Sequence, residues 1–127
     1  MRAKPSIADD GTIFIGTEVG VTAVEAGEDS ASIKWTSPCG TIRDAGLTLG
    51  ADGTTLYAAV AYDQSGEGSV HALDVQNGGK KWTFNPPECS ANPSLRCYFG
   101  ESTPAVGADG TTIFVGSDDT YVYALPA

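Results

Sequence analysis

The chain has 127 residues, including 16 Gly and 7 Pro, and its 16 acidic residues against 7 basic residues give a net charge of −9. It is 41% hydrophobic and 18% charged, which is too apolar for a disordered chain, and it has no run of about 20 apolar residues as in a membrane helix. Nucleic acids and anionic membranes bind clustered Lys and Arg, but the only adjacent basic pair here is Lys80-Lys81. We therefore expect an acidic, soluble, turn-rich domain with neither nucleic-acid nor membrane-insertion partners.

The amino terminus carries no recognisable export signal. Residues 1–6 are basic, but Asp9-Asp10-Gly11 follows almost at once, where a signal peptide would have an apolar segment. Two interpretations remain: the protein is cytoplasmic, or the chain is a mature or trimmed piece of something longer. Its start within a repeat favours the second.

A segment with an Asp-Gly pair and an apolar run occurs three times, and each copy is followed by a second short apolar run. Gly53 follows Gly11 by 42 residues, and Gly110 follows Gly53 by 57 residues, so the unit is about 42 residues with an insertion in the second copy. The copies are Ile7–Thr17, Leu49–Ala59 and Val106–Gly116, and their second runs are Val21–Val24, Val70–Leu73 and Val122–Leu125.

Short apolar runs bounded by Asp-Gly or Asn-Gly turns predict four antiparallel strands per unit. This number of strands in about 40 residues is typical of a β-propeller blade, whereas an ordinary β-sandwich would not explain why the same turn and strand recur. The second unit is predicted to contain strands at Leu47–Gly50, Thr55–Tyr62, Ser69–Asp74 and Lys80–Phe84.

We therefore predict an all-β fold, a single repeat domain over residues 1–127 that forms an incomplete propeller of about 2¾ blades. The first blade is expected at about residues 5–36 and the second at about 46–85. The third, without its outer strand, is expected at about 102–127, after an inserted loop at 86–101.

The segment Ala72-x-Asp74-x-x-Asn77-Gly78-x-x-x-Trp82 resembles the tryptophan-docking motif of the pyrroloquinoline quinone (PQQ)-type propeller repeat, Ala-x-Asp-x-x-Thr-Gly-x-x-x-Trp. Asn77 stands where the family prefers Thr. The first unit is a weaker copy, with Glu25 at the Asp position and two extra residues before Trp35. The third unit resembles the first three strands of the same repeat.

These motif residues are expected to have structural roles. A Trp on the outermost strand, as at Trp35 and Trp82, can lie against the neighbouring blade and bury about 150–250 Å². Asp74 can accept backbone N–H bonds from the tight Asn77-Gly78 turn. Stacking of either Trp on a ligand is the less favoured interpretation.

The resemblance implies two alternative functions. Quinoprotein alcohol dehydrogenases of this family hold PQQ and Ca²⁺, with an adjacent Cys-Cys pair against the quinone, whereas non-enzymatic members such as the outer-membrane assembly lipoprotein bind proteins. Because Cys39, Cys89 and Cys97 are not adjacent, no residue can be matched to the quinone site. We expect a non-catalytic scaffold for a protein or ligand, with no cofactor. The alternative is a fragment of a PQQ-dependent dehydrogenase that binds PQQ and calcium. The resemblance also favours a periplasmic or extracellular location.

The three long connections are predicted to lie at one end of the blades, opposite the short Asp-Gly turns. Long loops on one end of a rigid scaffold suggest a binding face, although surface loops also tolerate insertions without function. The long segments are Thr36–Asp44, Asp63–Gly68 and Pro86–Glu101, and the last of these contains the turn pairs Pro86-Pro87 and Asn92-Pro93.

Cys89 and Cys97 could close a disulfide within the inserted loop, and such a bond would stabilise the fold by about 2–3 kcal/mol. It would imply an oxidising compartment and leave Cys39 as a free thiol. Three free thiols are the alternative. Zinc is not expected, because the sequence has no closely spaced Cys-x₂₋₄-Cys pair.

The remaining polar candidates are expected to be structural. His71 occupies a strand position held by Thr22 and Tyr123 in the other units, which predicts a semi-exposed packing site rather than a catalytic one. Asp118 and Asp119 are expected to be solvated turn residues.

Three blades are too few to close a ring, because known propellers have at least four. An open arc would leave two apolar blade faces uncovered, and such faces bind partners or aggregate. The chain is therefore expected to be part of a longer propeller, or to associate with itself or with another protein through these faces.

Overall fold

The computed structural model describes residues 3–92, 94 and 97–127. Met1 and Arg2 of the basic start, Pro93 of the expected turn pair, and Leu95 and Arg96 of the inserted loop lie outside the described residues. Among the described elements no helix has the length and apolar character to cross a membrane. The elements are β1 Ser6–Ile7, β2 Ile13–Gly16, β3 Gly20–Ala26, β4 Ala31–Pro38, β5 Leu47–Leu49, β6 Thr55–Val60, β7 Ser69–Asp74, β8 Lys80–Phe84, α1 Pro87–Ala91, β9 Ala105–Val106, β10 Thr112–Gly116 and β11 Val122–Pro126.

The strands form three antiparallel sheets in which each strand pairs with the next along the chain. The first sheet contains β1 to β4, the second β5 to β8, and the third β9 to β11. We call these sheets the first, second and third blade. All four strands of the second blade begin at the predicted residues. Its first two strands, β5 and β6, end one and two residues earlier than predicted. The all-β fold of propeller blades, the last with three strands, is therefore confirmed.

The second blade lies between the other two. All six residues of β6 are buried, so both of its faces are covered. On β2 Phe14 is buried and Ile15, on the opposite face, is exposed. On β10 the equivalent of Phe14 is the exposed Phe114, and the buried residue is its neighbour Val115. Since strand side chains alternate between faces, the first and third blades each have one covered and one open face.

Hydroxyl groups on the innermost strands of the first two blades bond to the next blade. Ser6 Oγ donates to the carbonyl oxygen of Leu47, and Thr48 Oγ1 donates to that of Pro104. The two hydroxyls occupy equivalent positions, since Ser6 is paired with Phe14 and Thr48 with Tyr57. These bonds fix the spacing of the blades beside the apolar core that they share.

Three local features differ from the sequence-based expectation. β4 continues to Pro38, so the first part of the segment Thr36–Asp44 is strand rather than loop. The inserted segment contains the short helix α1. A β-bulge interrupts the pairing of the outermost strand in the first blade, next to Ala23, and in the second blade, next to Ala72.

Candidate functional site: the long-loop end

The connections between strands differ in length at the two ends of the blades. We define the long-loop end as residues 17–19, 39–46, 61–68, 85–92, 94, 97–104 and 117–121, and the turn end as residues 8–12, 27–30, 50–54, 75–79 and 107–111. At the turn end, aspartate side chains cap their own turns: Asp52 accepts the N–H of Thr54, and Asp109 accepts that of Thr111. The turn end is therefore built from compact, locally satisfied loops.

Two adjoining clefts open between the first and second blades at the long-loop end. Their volumes are about 680 and 920 Å³, and both are lined by Glu18, Thr41 and Tyr62. Thr41 fixes this wall, because its N–H donates to the carbonyl oxygen of Tyr62 at 2.9 Å and its hydroxyl donates to that of Glu18 at 2.9 Å. Hydrogen bonds from Thr41 to loops of both blades therefore hold the wall that the two clefts share.

Arg43 and Tyr62 line the smaller cleft, and the ring of Tyr98 packs against Tyr62 beside it. The guanidinium carbon of Arg43 lies 5.3 Å from the ring centroid of Tyr62, a cation–π contact, and the ring of Tyr98 lies 5.9 Å from that of Tyr62. Arg and Tyr are enriched at the centres of protein interfaces. The acidic residues Glu18 and Asp44 line the same cleft, so a partner would meet one cation among carboxylates.

Main-chain hydrogen bonds join the inserted segment to two other loops of the long-loop end. The N–H of Asp44 donates to the carbonyl oxygen of Gly100, and the N–H of Asp118 donates to that of Tyr98, both at 3.0 Å. Phe99 between them is fully buried. These bonds hold Tyr98 in its place beside the cleft.

Cys89 and Cys97 are brought together in this segment, where the structure pairs their sulfurs with Cα atoms 5.9 Å apart. A carboxylate oxygen of Asp119 lies within 4.8 Å of both sulfurs. Asp119 is buried rather than solvated, and its carboxylate accepts the N–H of Tyr121 and the hydroxyl of Tyr123 at 2.6 Å. With the sulfurs bonded to each other, neither is a thiolate ligand for a metal ion.

Cys39 lies on the wall of the larger cleft but is almost fully buried. Desolvation raises the pKa of its thiol to about 11. It is therefore a protonated, poorly nucleophilic thiol at neutral pH.

The expectation that His71 is semi-exposed is wrong, because its side chain is only 5% exposed. The equivalent residues, Thr22 and Tyr123, belong to blades that have one open face, whereas both faces of the second blade are covered. Ser69 Oγ lies 2.8 Å from Nε2, and Thr83 Oγ1 lies 3.0 Å from Nδ1. Desolvation, with a smaller effect of Lys80, lowers the pKa of His71 to about 4. The ring is therefore neutral at pH 7 and bridges two hydroxyls.

Trp35, on the outer strand of the first blade, contacts the turn of the second. Its indole N–H donates to the carbonyl oxygen of Val75 at 3.0 Å, and its ring covers Gly78. The centroid of its ring also lies 5.7 Å from that of Phe14 in its own blade. The ring centroids of Trp82 and Tyr57, both in the second blade, are 6.0 Å apart.

The turn after β7 is bonded differently from the expectation. The Asp74 carboxylate accepts the N–H of Gln76 at 2.8 Å, while the N–H of Gly78 donates to the main-chain oxygen of Asp74. Asn77 Oδ1 accepts the N–H of Gly79. Ala72 is buried opposite Trp82 on the neighbouring strand.

Sequence reasoning located the long connections but missed the side chains that distinguish them. Arg43, Tyr62 and Tyr98 lie on three separate segments, and no local motif joins them. The available signal was a set of aromatic and Arg residues in or beside loops predicted to share one end. Comparing residue types across those loops could have found it.

Comparison with known proteins supports the fold. No family model and no curated protein matches this chain. The crystal structure of BamB from Moraxella catarrhalis matches 98% of this chain with a TM-score of 0.67 and 21% sequence identity. That match covers 34% of the BamB chain, so this chain spans about one third of its length. The likeness supports a partial β-propeller.

Proposed function

We propose that this chain is a non-catalytic propeller segment that binds a protein partner through its long-loop end. The observation that carries this proposal is the grouping of Arg43, Tyr62 and Tyr98 beside an open cleft between two blades. At the opposite end the turns are short and their polar groups are bonded locally. A rigid scaffold with functional groups concentrated on long loops at one end is typical of binding proteins.

The blades are proposed to be of the PQQ-type repeat. The supporting residues are those of the segment Ala72 to Trp82, together with the contact between Trp35 and Gly78 of the next blade. The likeness in fold to BamB supports a propeller architecture for these blades.

The alternative, a PQQ-dependent dehydrogenase fragment, fits the donor residues poorly. A quinone site of that kind needs two adjacent cysteines, whereas Cys89 and Cys97 are eight residues apart and Cys39 is buried beside a different blade. The one group of possible metal ligands among the described residues is Cys89, Cys97 and Asp119, which contains a single carboxylate. These residues therefore do not fit a quinone site of that kind.

The open faces of the first and third blades are proposed as further association surfaces. Ile15 on one face and Phe114 on the other are 38% and 44% exposed, although their equivalents in the second blade are buried. Large exposed apolar side chains on a sheet face favour contact with another protein, either a second copy of this chain or a different polypeptide.

The binding proposal is tested by site-directed photo-cross-linking in cells. A photoreactive amino acid replaces exposed Val19 at the long-loop end or, as the matched control, exposed Ala51 at the turn end. We expect a discrete cross-linked protein from position 19 only, and we expect its loss when Arg43→Ala and Tyr62→Ala are combined.

Equal cross-linking from both ends, or a product that is insensitive to the double substitution, would contradict the proposal. A parallel incubation with PQQ and Ca²⁺ tests the alternative. Dye-linked alcohol oxidation by the loaded protein would favour the dehydrogenase.

A further inference from the structure

Two sulfur atoms and a carboxylate from separate parts of the chain meet at the inserted segment. Cys89 lies in α1, Cys97 follows it in the same segment, and Asp119 lies in the turn between β10 and β11. An oxygen of Asp119 and both sulfurs lie within 4.8 Å of one another. Cys97 and Asp119 are 3% and 5% exposed, so these donor atoms are largely shielded from water.

The Asp119 carboxylate is held in place by its own turn. It accepts the N–H of Tyr121 at 3.0 Å and the hydroxyl of Tyr123 at 2.6 Å. The turn itself is closed by the N–H of Thr120, which donates to the carbonyl oxygen of Ser117 at 3.1 Å. Local hydrogen bonds therefore fix the position of the carboxylate beside the two sulfurs.

This buried carboxylate has neutral hydrogen-bond donors but no cation beside it. Among the described residues no cationic side chain lies at ion-pair distance from Asp119, and the ion pair that the structure shows joins Lys34 to Asp10. Burying a carboxylate is costly when no positive charge replaces its hydration. A disulfide is uncharged and does not offset this cost, whereas a cation bound at the same point would.

The three groups have the spacing of a zinc site once the disulfide is open. Zn²⁺ binds thiolates at about 2.3 Å and carboxylate oxygens at about 2.0–2.2 Å, so its tetrahedral ligand atoms lie about 3.5–3.8 Å apart. The donor atoms here are already within 4.8 Å of one another, and the Cα atoms of Cys89 and Cys97 are 5.9 Å apart. Small side-chain movements are therefore enough to place all three on one ion, and water can take the fourth position.

The donor types favour zinc over the hard cations. Thiolates select Zn²⁺ and other soft divalent ions, whereas Ca²⁺ and Mg²⁺ need several oxygen ligands, and this group contains a single carboxylate. The spacing along the chain conceals the group, because Asp119 follows Cys97 by 22 residues. Only the folded third blade brings the carboxylate to the inserted segment.

We propose that the reduced form of this chain binds one Zn²⁺ ion through Cys89, Cys97 and Asp119. A dithiol reductant donates two electrons and two protons to the disulfide and becomes a disulfide itself. Zn²⁺ then displaces the two thiol protons as two Zn–S bonds form, and the Asp119 carboxylate supplies the third ligand. The disulfide closes the inserted segment on itself, whereas the ion also ties that segment to the third blade. The inference does not depend on partner binding at the long-loop cleft.

Zinc titration of the full chain, reduced with a water-soluble phosphine, tests this site. Competition with a chromophoric chelator measures the stoichiometry and the affinity. We expect one tightly bound ion per reduced chain, no comparable binding by the oxidised chain, and release of about two protons per ion at pH 7. Asp119→Asn keeps an oxygen acceptor for the N–H of Tyr121. It should weaken zinc binding by at least about tenfold, because even residues that only orient a metal ligand contribute about 10–100-fold.

Two variants serve as matched controls. Asp118→Asn removes the same charge one residue earlier, from an exposed side chain outside the ligand group, and should leave the zinc affinity unchanged. Cys39→Ser should also leave it unchanged, because Cys39 lines the cleft between the first two blades. Cys89→Ser provides a second ligand variant that leaves the turn around Asp119 intact, and it should weaken binding at least as much as Asp119→Asn.

Thermal unfolding of the reduced protein distinguishes a site in the folded chain from two thiols on an unfolded one. An ion that binds the folded chain more tightly raises the melting temperature, whereas an ion that binds loose thiols equally well in the unfolded chain does not. We expect Zn²⁺ to raise the melting temperature of the native sequence and of Asp118→Asn, and to raise that of Asp119→Asn less.

Equal zinc affinities of Asp119→Asn and Asp118→Asn would overturn the proposal, as would a melting temperature that zinc leaves unchanged or lowers in the reduced native sequence. Loss of binding in Cys39→Ser would assign the ion to another site, which also overturns it. Equal affinity of the oxidised and reduced chains would show that the sulfurs are not ligands, with the same consequence.

Discussion

The indole N–H of Trp35 donates a 3.0 Å hydrogen bond to the carbonyl oxygen of Val75. Trp35 belongs to β4 of the first blade, and Val75 follows β7 of the second, so one side chain joins two sheets. The indole ring also covers Gly78, where an added Cβ would lie 2.5 Å from the ring. The contact between these blades therefore depends on the turn after β7 having no side chain at residue 78.

Two glycines with the same backbone conformation allow this contact to be measured. Gly78 and Gly53 have φ of 73° and 70°, but a Cβ at Gly53 would meet nothing within 4 Å. Left-handed strain alone predicts that Gly53→Ala lowers the free energy of unfolding by about 1–2 kcal/mol. Gly78→Ala should cost a further 1–3 kcal/mol or so, because the indole must move. Equal losses in urea unfolding would show that the indole does not press on this turn.

Replacement of the two tryptophans should have unequal effects. Trp35→Ala removes a ring packed between two blades and leaves the Val75 carbonyl oxygen without its donor, so we expect a loss of about 2–4 kcal/mol. Trp82→Ala should cost less, about 1–2 kcal/mol, because its ring packs against Tyr57 of its own blade.

Thermal and urea unfolding of both variants provide the measurement. Unchanged stability of either variant, combined with lost binding of a partner, would support the alternative in which that Trp stacks on a ligand.

Features that depend on neighbouring residues in the chain were predictable from the sequence. Asp10, Asp52 and Asp109 each cap a turn by accepting the N–H of the Thr two residues later. The same local hydrogen bond therefore occurs three times. Such turns define where strands start and end, and the repeat then defines the blades. Strand limits at Ser69–Asp74 and Lys80–Phe84 were accordingly predicted to the residue.

Features that depend on packing between blades were not predictable in this way. The burial of His71 follows from the covered position of the second blade, and that of Asp119 follows from Tyr123 and the inserted segment. The contact of Arg43 with Tyr62 joins residues from two connections. The bulges next to Ala23 and Ala72 depend on strand register, which alternating apolar residues do not specify at a sheet edge.

Thiol titration tests the pairing of Cys89 with Cys97. We expect almost no reaction in the native, unreduced protein at pH 8, because Cys39 is buried and its pKa is raised to about 11. Unfolding without reductant should expose one thiol, and unfolding after reduction should expose three. Cys89→Ser with Cys97→Ser should lower the free energy of unfolding by about 2–3 kcal/mol. Three reactive thiols on unfolding without reductant would exclude the disulfide.

The only histidine in the sequence should make stability depend on pH between about 4 and 6.5. Burial lowers the pKa of His71 from 6.5 to about 4, so in that range the unfolded chain binds more protons than the folded one. The stabilisation is complete above pH 6.5 and is lost as the pH falls towards 4, by up to about 3 kcal/mol. His71→Gln keeps hydrogen-bonding groups between Ser69 and Thr83 but does not titrate.

Urea unfolding of both proteins at pH 7, 6, 5 and 4.5 provides the comparison. The difference in unfolding free energy between the native sequence and His71→Gln should shrink steadily as the pH falls. The carboxyl groups whose pKa is lowered, such as Asp52 and Asp109, affect both proteins alike and only near or below pH 4. Parallel stability curves from pH 7 to 4.5 would show that His71 is protonated as easily in the folded protein as in water, and that Ser69 and Thr83 do not hold a neutral ring.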